Sequence, residues 1–194
     1  MNLPNCLTVS RIGLTFLFVF ALWHNSLAAT VLATGIFILA ALTDFWDGYF
    51  AKKRKLTSDF GAIMDPIADK VLILGAFWIF VRLGVVHGWM VLFIFIREVA
   101  VTVSRLFAMR RGRVLAAEKA GKFKTVLQIA TISLILLYLI LEKSYFLSGR
   151  ASRMENSFLW VINFFMVVTV GLTLYSGALY FMHKRKMHED LRAT

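Results

Sequence analysis

The chain has 194 residues, of which 59% are hydrophobic and only 17% charged, a balance that does not suit a soluble surface. The net charge of +11 fits anionic lipid headgroups, phosphorylated substrates or nucleic acid, and membrane topology alone also produces a basic excess. In so apolar a chain the lipid and phosphate readings lead, and no nucleic-acid partner is expected. The single Cys6 excludes an internal disulfide and a Cys-based metal cluster, and reads as a small packing residue.

The apolar residues come in runs near twenty long. Six spans are predicted, roughly 9–24, 27–50, 63–83, 88–108, 122–141 and 158–182, each about long enough to cross the ~30 Å hydrocarbon core as a helix. The expected fold class is all-α: one polytopic membrane domain over 1–194, six transmembrane helices, and a short N-terminal interfacial helix. That first segment is amphipathic, with Asn5, Thr8 and Arg11 at near-helical spacing beside Leu3 and Leu7. The apolar stretch after Arg11 also has the form of a signal peptide, and Ser26, Leu27 and Ala28 loosely resemble a cleavage site. More hydrophobic spans follow at once, so it is read as a retained first span.

The second span carries Gly35, Ala40 and Ala41, small residues that suit close helix packing. Short loops predict that sequential helices are antiparallel neighbours packed together. One set of loops holds Lys52, Lys53, Arg54 and Lys55, then Arg110, Arg111, Arg113 and Lys119, then Lys184, Arg185, Lys186 and Arg192. The opposite set holds Arg82, Lys143, Arg150 and Arg153. The more basic side is expected to face the cytoplasm, with both termini. The longest external loop is expected over 143–157. The four histidines read as surface residues, Trp23 and Trp89 as interface anchors, and the tail from His183 as a solvated or headgroup-contacting end.

Of eleven acidic residues, five fall between positions 44 and 69. Asp59 reads as a solvated loop residue. Asp44 and Asp47 lie at the end of the second span, and Asp65 and Asp69 at the start of the third. Residues three or four apart share a helix face, so Asp44, Asp47, Gly48 and Ala51 form one stripe. Gly61, Asp65 and Asp69 form another if the helix already covers Gly61. Four facing carboxylates repel strongly at low dielectric, and are tolerable if partly protonated, paired with cations or bound to metal. Oxygen-only ligands suit a hard cation such as Mg²⁺ or Mn²⁺, and two such ions can bridge substrate phosphates. In the plainer alternative Asp47 and Asp69 reach cytoplasmic water and Asp69 pairs with Lys70. Gly48 and Gly61 would let a ligand or backbone approach closely.

Asp44, Asp47, Gly48, Ala51 and Lys52, then Gly61, Asp65 and Asp69, resemble the signature D-x2-D-G-x2-A-R-x8-G-x3-D-x3-D of the CDP-alcohol phosphotransferase family. Seven of eight fixed positions are identical, and the departure is Lys52 in place of Arg. Lys keeps the charge but cannot offer phosphate a bidentate fork. The likeness extends to Asn2, Pro4, Asn5, Leu7, Thr8 and Arg11. It also takes in Arg97, Glu98, Thr102 and Arg105 on the fourth span, and Lys119, Gly121, Lys122, Lys124 and Thr125 at the start of the fifth. In these stretches the chain is similar to family members that use glycerol 3-phosphate.

The resemblance implies a six-helix membrane bundle, generally a homodimer, in the bacterial cytoplasmic membrane, with its site open to the cytoplasm and the bilayer. The implied reaction is CDP-diacylglycerol plus glycerol 3-phosphate giving phosphatidylglycerol phosphate and CMP. Asp44, Asp47 and Asp65 would be chiefly metal ligands, and Asp69 a ligand and the catalytic base. Asp47, Gly48, Ala51, Lys52 and Gly61 would meet CDP-diacylglycerol. Asn5, Thr8 and Arg11 would position its nucleotide or lipid phosphate, or else anchor the interface.

Arg97 and Arg105 are eight apart, on one side of the fourth span, and Arg97 lies deep enough that it should face the bundle interior. With Lys122 and Lys124 they are candidate cations for the acceptor phosphate. The alternatives are topology alone, and pairing of Arg97 with an aspartate. Glu98 points to a different face and is expected to pair elsewhere. Two rival functions stand beside this reading. One is the same chemistry on serine, inositol phosphate or phosphatidylglycerol. The other is an ion-coupled transporter, disfavoured because the acids cluster at one face and no internal repeat is visible.

Overall fold

The computed structural model describes residues 3–54, 59–110, 119–147 and 155–193, and the side chains of 9–43, 64, 67–68, 70–108, 123–144 and 157–183. The described residues form six helices: α1 (Leu3–Trp23), α2 (Leu27–Arg54), α3 (Asp59–Arg82), α4 (Gly88–Arg110), α5 (Lys119–Leu147) and α6 (Glu155–Ala193). The all-α class and the six predicted segments agree with this order.

The ends differ from the sequence expectation in one consistent way, because helices continue past the apolar runs into polar sequence. The N-terminal segment is not a separate helix but the first turns of an unbroken α1. Asp59 opens α3 and is not a loop residue, so the helix does cover Gly61. Helix α5 runs on to Leu147, inside the expected external loop, and α6 continues through the tail to Ala193. Hydropathy marks what a bilayer would accept, while backbone hydrogen bonding carries a helix further.

Local chemistry sets two of the turns. Ser26 caps α2, its Oγ accepting from the Ala29 amide at 3.2 Å. After α3 the chain closes in a Schellman arrangement: the Val85 amide donates to the Phe80 carbonyl at 3.1 Å and the Gly84 amide to Val81 at 3.0 Å. Gly84 takes φ +75°, which a residue without Cβ adopts freely. Val85 and Phe80 are both buried in the same apolar core.

Sequential neighbours are not always packing neighbours. Helix α1 packs along both α2 and α3, and α5 also touches both; α4 packs on α3 and α6, and α5 on α6. Direct packing of α2 on α3, and of α4 on α5, is slight among the described residues. The expectation that short loops make every successive pair pack therefore fails at these two joints, where a third helix fills the space. Phe18, Leu22, Phe37, Phe77, Phe80, Ile94, Ile135 and Met166 form a continuous core. Ala40 is buried and Ala41 half-buried, as close packing needs, but Gly35 faces outward with nothing within 4 Å of an added Cβ.

The exterior is apolar. Phe16, Phe20, Leu32, Trp160 and Phe164 are each more than 60% exposed, the reverse of a soluble surface. Two helical stretches, Phe123–Ser144 and Ser157–His183, are long and apolar enough to cross a membrane, and Val9–Trp23 and Leu27–Thr43 are shorter apolar stretches. In lipid, packing and interhelical hydrogen bonds hold helices together. Thr131 and Thr169 share such a bond at 2.9 Å between α5 and α6, and Lys143 donates to Thr30 at 2.6 Å between α5 and α2. Trp23 is exposed, as an anchor should be; it stacks on Trp78 and carries the Arg82 guanidinium 3.0 Å from its ring centre.

Candidate active site

Helix α2 covers Asp44, Asp47, Gly48, Ala51 and Lys52 without a break, and α3 covers Gly61, Asp65 and Asp69. Each set thus has the helical spacing that the sequence predicts. The side chains of these eight residues, and of Asn5, Thr8 and Lys122, lie outside the described ones. Among the described residues no three His, Cys, Asp or Glu side chains gather. The donor set itself fits a hard divalent cation, being four carboxylates on two helices with Cys6 remote in sequence.

A cleft of about 70 Å³ is lined by Arg11 from α1, Ala41 from α2, Lys70 from α3 and Thr125 from α5. Ala41 lies one turn before Asp44, and Lys70 directly follows Asp69. The cleft therefore borders the turns that bear the acids. Arg11 is buried at 2% exposure, so it does not act as a simple surface anchor.

Beside this cleft is a buried ionic cluster. Glu98 of α4 is 1% exposed. Its Oε1 accepts from Arg97 Nη1 at 3.2 Å, from Gln128 Nε2 at 3.3 Å and from Lys124 Nζ. Lys70 Nζ stands 2.9 Å from Oε2, an ion pair by distance without the alignment of a hydrogen bond. Arg97 Nη2 donates to Ser176 of α6 at 2.9 Å. Three helices, α3 to α5, meet at one carboxylate, and α6 joins through Ser176 on Arg97.

This arrangement supports one expectation and corrects another. Arg97 does face the interior, as the cost of a lone charge in lipid requires. Its described partners are Glu98 and Ser176, and the aspartate side chains of the acid motif lie outside the described ones. Glu98 was expected to turn away from its neighbour. Successive side chains do leave a helix about 100° apart, but the Arg97 stem is long enough to bring its guanidinium round to the carboxylate. Lys70, which the sequence offered as a partner for Asp69, is drawn to Glu98 as well. Lys124 belongs to the cluster; Arg105 is half-buried, with its Nε lacking a hydrogen-bond partner among the described residues.

Gln128 was not singled out from sequence, and Lys70 was read only as a partner for Asp69 and not as part of a buried cluster. The available signal was a polar or charged residue inside an apolar run, which must find a partner within the bundle. Counting formal charges, Lys70, Arg97 and Lys124 face one carboxylate. The cluster keeps a positive excess next to the acid-bearing turns, and an anion is the complement of such an excess.

The family model of CDP-alcohol phosphatidyltransferases matches residues 1–175. The chain belongs to the CDP-alcohol phosphatidyltransferase family. A Bacillus subtilis (strain 168) protein named CDP-diacylglycerol–glycerol-3-phosphate 3-phosphatidyltransferase is 39% identical over 181 residues, covering 87% of this chain and 91% of the relative. A Mycobacterium tuberculosis (strain H37Rv) protein named "Probable phosphatidylglycerophosphate synthase" is 42% identical over 140 residues, 70% of this chain and 66% of its own. A Cereibacter sphaeroides protein with the same name as the Bacillus relative is 37% identical over 145 residues, 70% of this chain and 63% of its own. The match to the CDP-alcohol phosphatidyltransferase model takes in all six helices at least in part; Lys70, Arg97, Glu98, Lys124 and Gln128 lie inside it and Ser176 one residue beyond.

Proposed function

We propose that this phosphatidyltransferase moves the phosphatidyl group of CDP-diacylglycerol to glycerol 3-phosphate, giving phosphatidylglycerol phosphate and CMP in anionic phospholipid synthesis. The observation that carries the reading is the buried excess of cations, Lys70, Arg97 and Lys124 around Glu98, beside the turns of the acid motif. An acceptor that brings its own phosphate complements that charge, whereas serine brings no phosphate. The names of the Bacillus and Cereibacter relatives specify the same donor and acceptor.

Asp44, Asp47, Asp65 and Asp69 would hold divalent ions, Mg²⁺ or Mn²⁺ and two in number. Such ions supply charge neutralisation at the donor pyrophosphate and at the departing CMP. Asp47, Gly48, Ala51, Lys52 and Gly61, with Asn5, Thr8 and Arg11, receive CDP-diacylglycerol. The acceptor hydroxyl attacks the phosphorus that bears diacylglycerol, the bond from that phosphorus to the CMP oxygen breaks, and Asp69 takes the hydroxyl proton. Arg97, Arg105, Lys122 and Lys124 hold the acceptor phosphate away from the metal ligands.

The same reading places all six helices across a bacterial cytoplasmic membrane, as one domain over 1–194 that works as a homodimer. The basic loops put both termini and the site on the cytoplasmic side, and the apolar exterior supports immersion in lipid. The deciding experiment measures CMP release by the purified chain with CDP-diacylglycerol, Mg²⁺ or Mn²⁺, and competing acceptors. Preference for glycerol 3-phosphate is expected. If serine, inositol phosphate or phosphatidylglycerol outcompetes it, the acceptor assignment fails and the family assignment stands.

A further inference from the structure

The acceptor reading accounts for cations but leaves an anion unexplained. Glu98 is almost wholly buried, and a carboxylate at the centre of a phosphate-binding group repels the ligand it would be expected to attract. Its contacts suggest why it is there. Lys70 comes from α3, Arg97 from α4 itself, and Lys124 with Gln128 from α5. Among the described residues helix α4 has only slight direct packing on α5, and these side chains link the two helices. Arg97 is held at its other end by Ser176 and lies over Gly177 of α6. Without a shared counter-charge, three cations in a low-dielectric bundle would separate.

We propose that Glu98 is a positioning residue for the acceptor: it holds Lys124 and Arg97 where they meet the acceptor phosphate, and ties them through Lys70 to the helical turn bearing Asp69. The inference rests on the acceptor assignment above. Glu98 touches neither substrate; it acts through the lysines and Arg97. By fixing Lys70, the residue after Asp69, it keeps the phosphate-binding group in register with the base, so the acceptor hydroxyl arrives at one place.

Steady-state CMP release by the full chain, reconstituted in lipid, separates this role from simple stabilisation. Glu98→Gln keeps the shape and removes the charge. It should raise KM for glycerol 3-phosphate by roughly tenfold or more. KM for CDP-diacylglycerol should stay within about twofold of wild type. Glu98→Asp, one methylene shorter with the charge kept, should fall between. A Glu98→Gln enzyme with wild-type KM for glycerol 3-phosphate, or with both KM values raised together, overturns the proposal.

If Glu98→Gln does not fold, the pair Glu98→Gln with Lys70→Gln removes one charge of each sign and is measured instead, with the same selective rise expected. Wild-type KM in that pair overturns the proposal; failure of both to fold assigns Glu98 a structural role and overturns it too. Lys124→Ala, run in parallel, distinguishes the two readings. If it leaves KM for glycerol 3-phosphate unchanged, the acceptor assignment itself has failed. If it raises that KM and Glu98→Gln does not, only the positioning role falls.

Discussion

Arg97 lies directly across Gly177. A Cβ added at 177 would stand 2.9 Å from Arg97 Cγ and 3.2 Å from its Nε, closer than side chains tolerate. The position is thus a seat for the arginine stem on α6, next to the Ser176 hydroxyl that holds the guanidinium. Gly177→Ala must push Arg97 near its root, where there is little freedom to yield. The variant should lose about 1–3 kcal/mol of stability from overpacking, and its kcat/KM for glycerol 3-phosphate should fall. Gly171, on the same helix with nothing within 4 Å, is the control. Gly171→Ala should be neutral or stabilise by about 0.5–1 kcal/mol. Equal thermal melts and equal activities for the two variants would contradict the seat.

Metal dependence follows from the donor set of Asp44, Asp47, Asp65 and Asp69. Chelation should abolish CMP release, and Mg²⁺ or Mn²⁺ should restore it. Asp44→Asn and Asp65→Asn should raise the metal concentration needed for half-maximal activity, since a neutral amide is a poorer ligand for a hard ion. Full activity in chelator would remove the metal from the mechanism.

Asp69→Asn tests the base. The variant should fold and bind CDP-diacylglycerol, while kcat falls by roughly 10²–10⁴-fold. Direct binding of the donor, measured beside turnover, separates this from loss of a ligand. Unchanged turnover would take Asp69 out of the proton transfer.

Lys124→Ala and Arg105→Ala test the acceptor cations. Lys124→Ala leaves Glu98 paired with Lys70 and Arg97, so the carboxylate is not stranded and folding should survive. Each variant should lose about 1.5–3 kcal/mol of acceptor binding, or one to two decades in KM for glycerol 3-phosphate. KM for CDP-diacylglycerol should change little. Glycerol without its phosphate should be a poor acceptor for the wild type and nearly insensitive to either substitution; equal sensitivity would remove these residues from phosphate binding.

Gly84→Ala addresses the fold alone. At φ +75° an alanine places its Cβ against the following carbonyl, at a cost of about 1–2 kcal/mol. The melting temperature should drop while both KM values stay at wild type. A change in either KM would mean that the α3–α4 turn reaches the site.

Local pattern sufficed for much of this. The spacing of Asp44 to Asp69 is a one-dimensional feature, and residues three or four apart share a helix face wherever the helix lies, so the acid motif and the family were legible without coordinates. The apolar runs gave six helices in order, but hydropathy stops where lipid would stop, so Asp59 reads from sequence as a loop residue and the tail after His183 only as a solvated or headgroup-contacting end, whereas the helical backbone continues through both.

The sequence by itself determined the class, the order of the helices, the acid motif and the need for Arg97 to turn inward, because each depends on a residue's own chemistry or on its neighbours a few positions away. Only the tertiary structure decided that α1 packs against both acid-bearing helices, that Gly35 faces outward and Gly177 inward, and that Glu98 gathers Lys70, Arg97, Lys124 and Gln128. These residues are up to 58 positions apart in the chain, from Lys70 to Gln128. A buried charge requires a partner, but its own sequence does not say which helix will supply it; that is set by how the bundle packs.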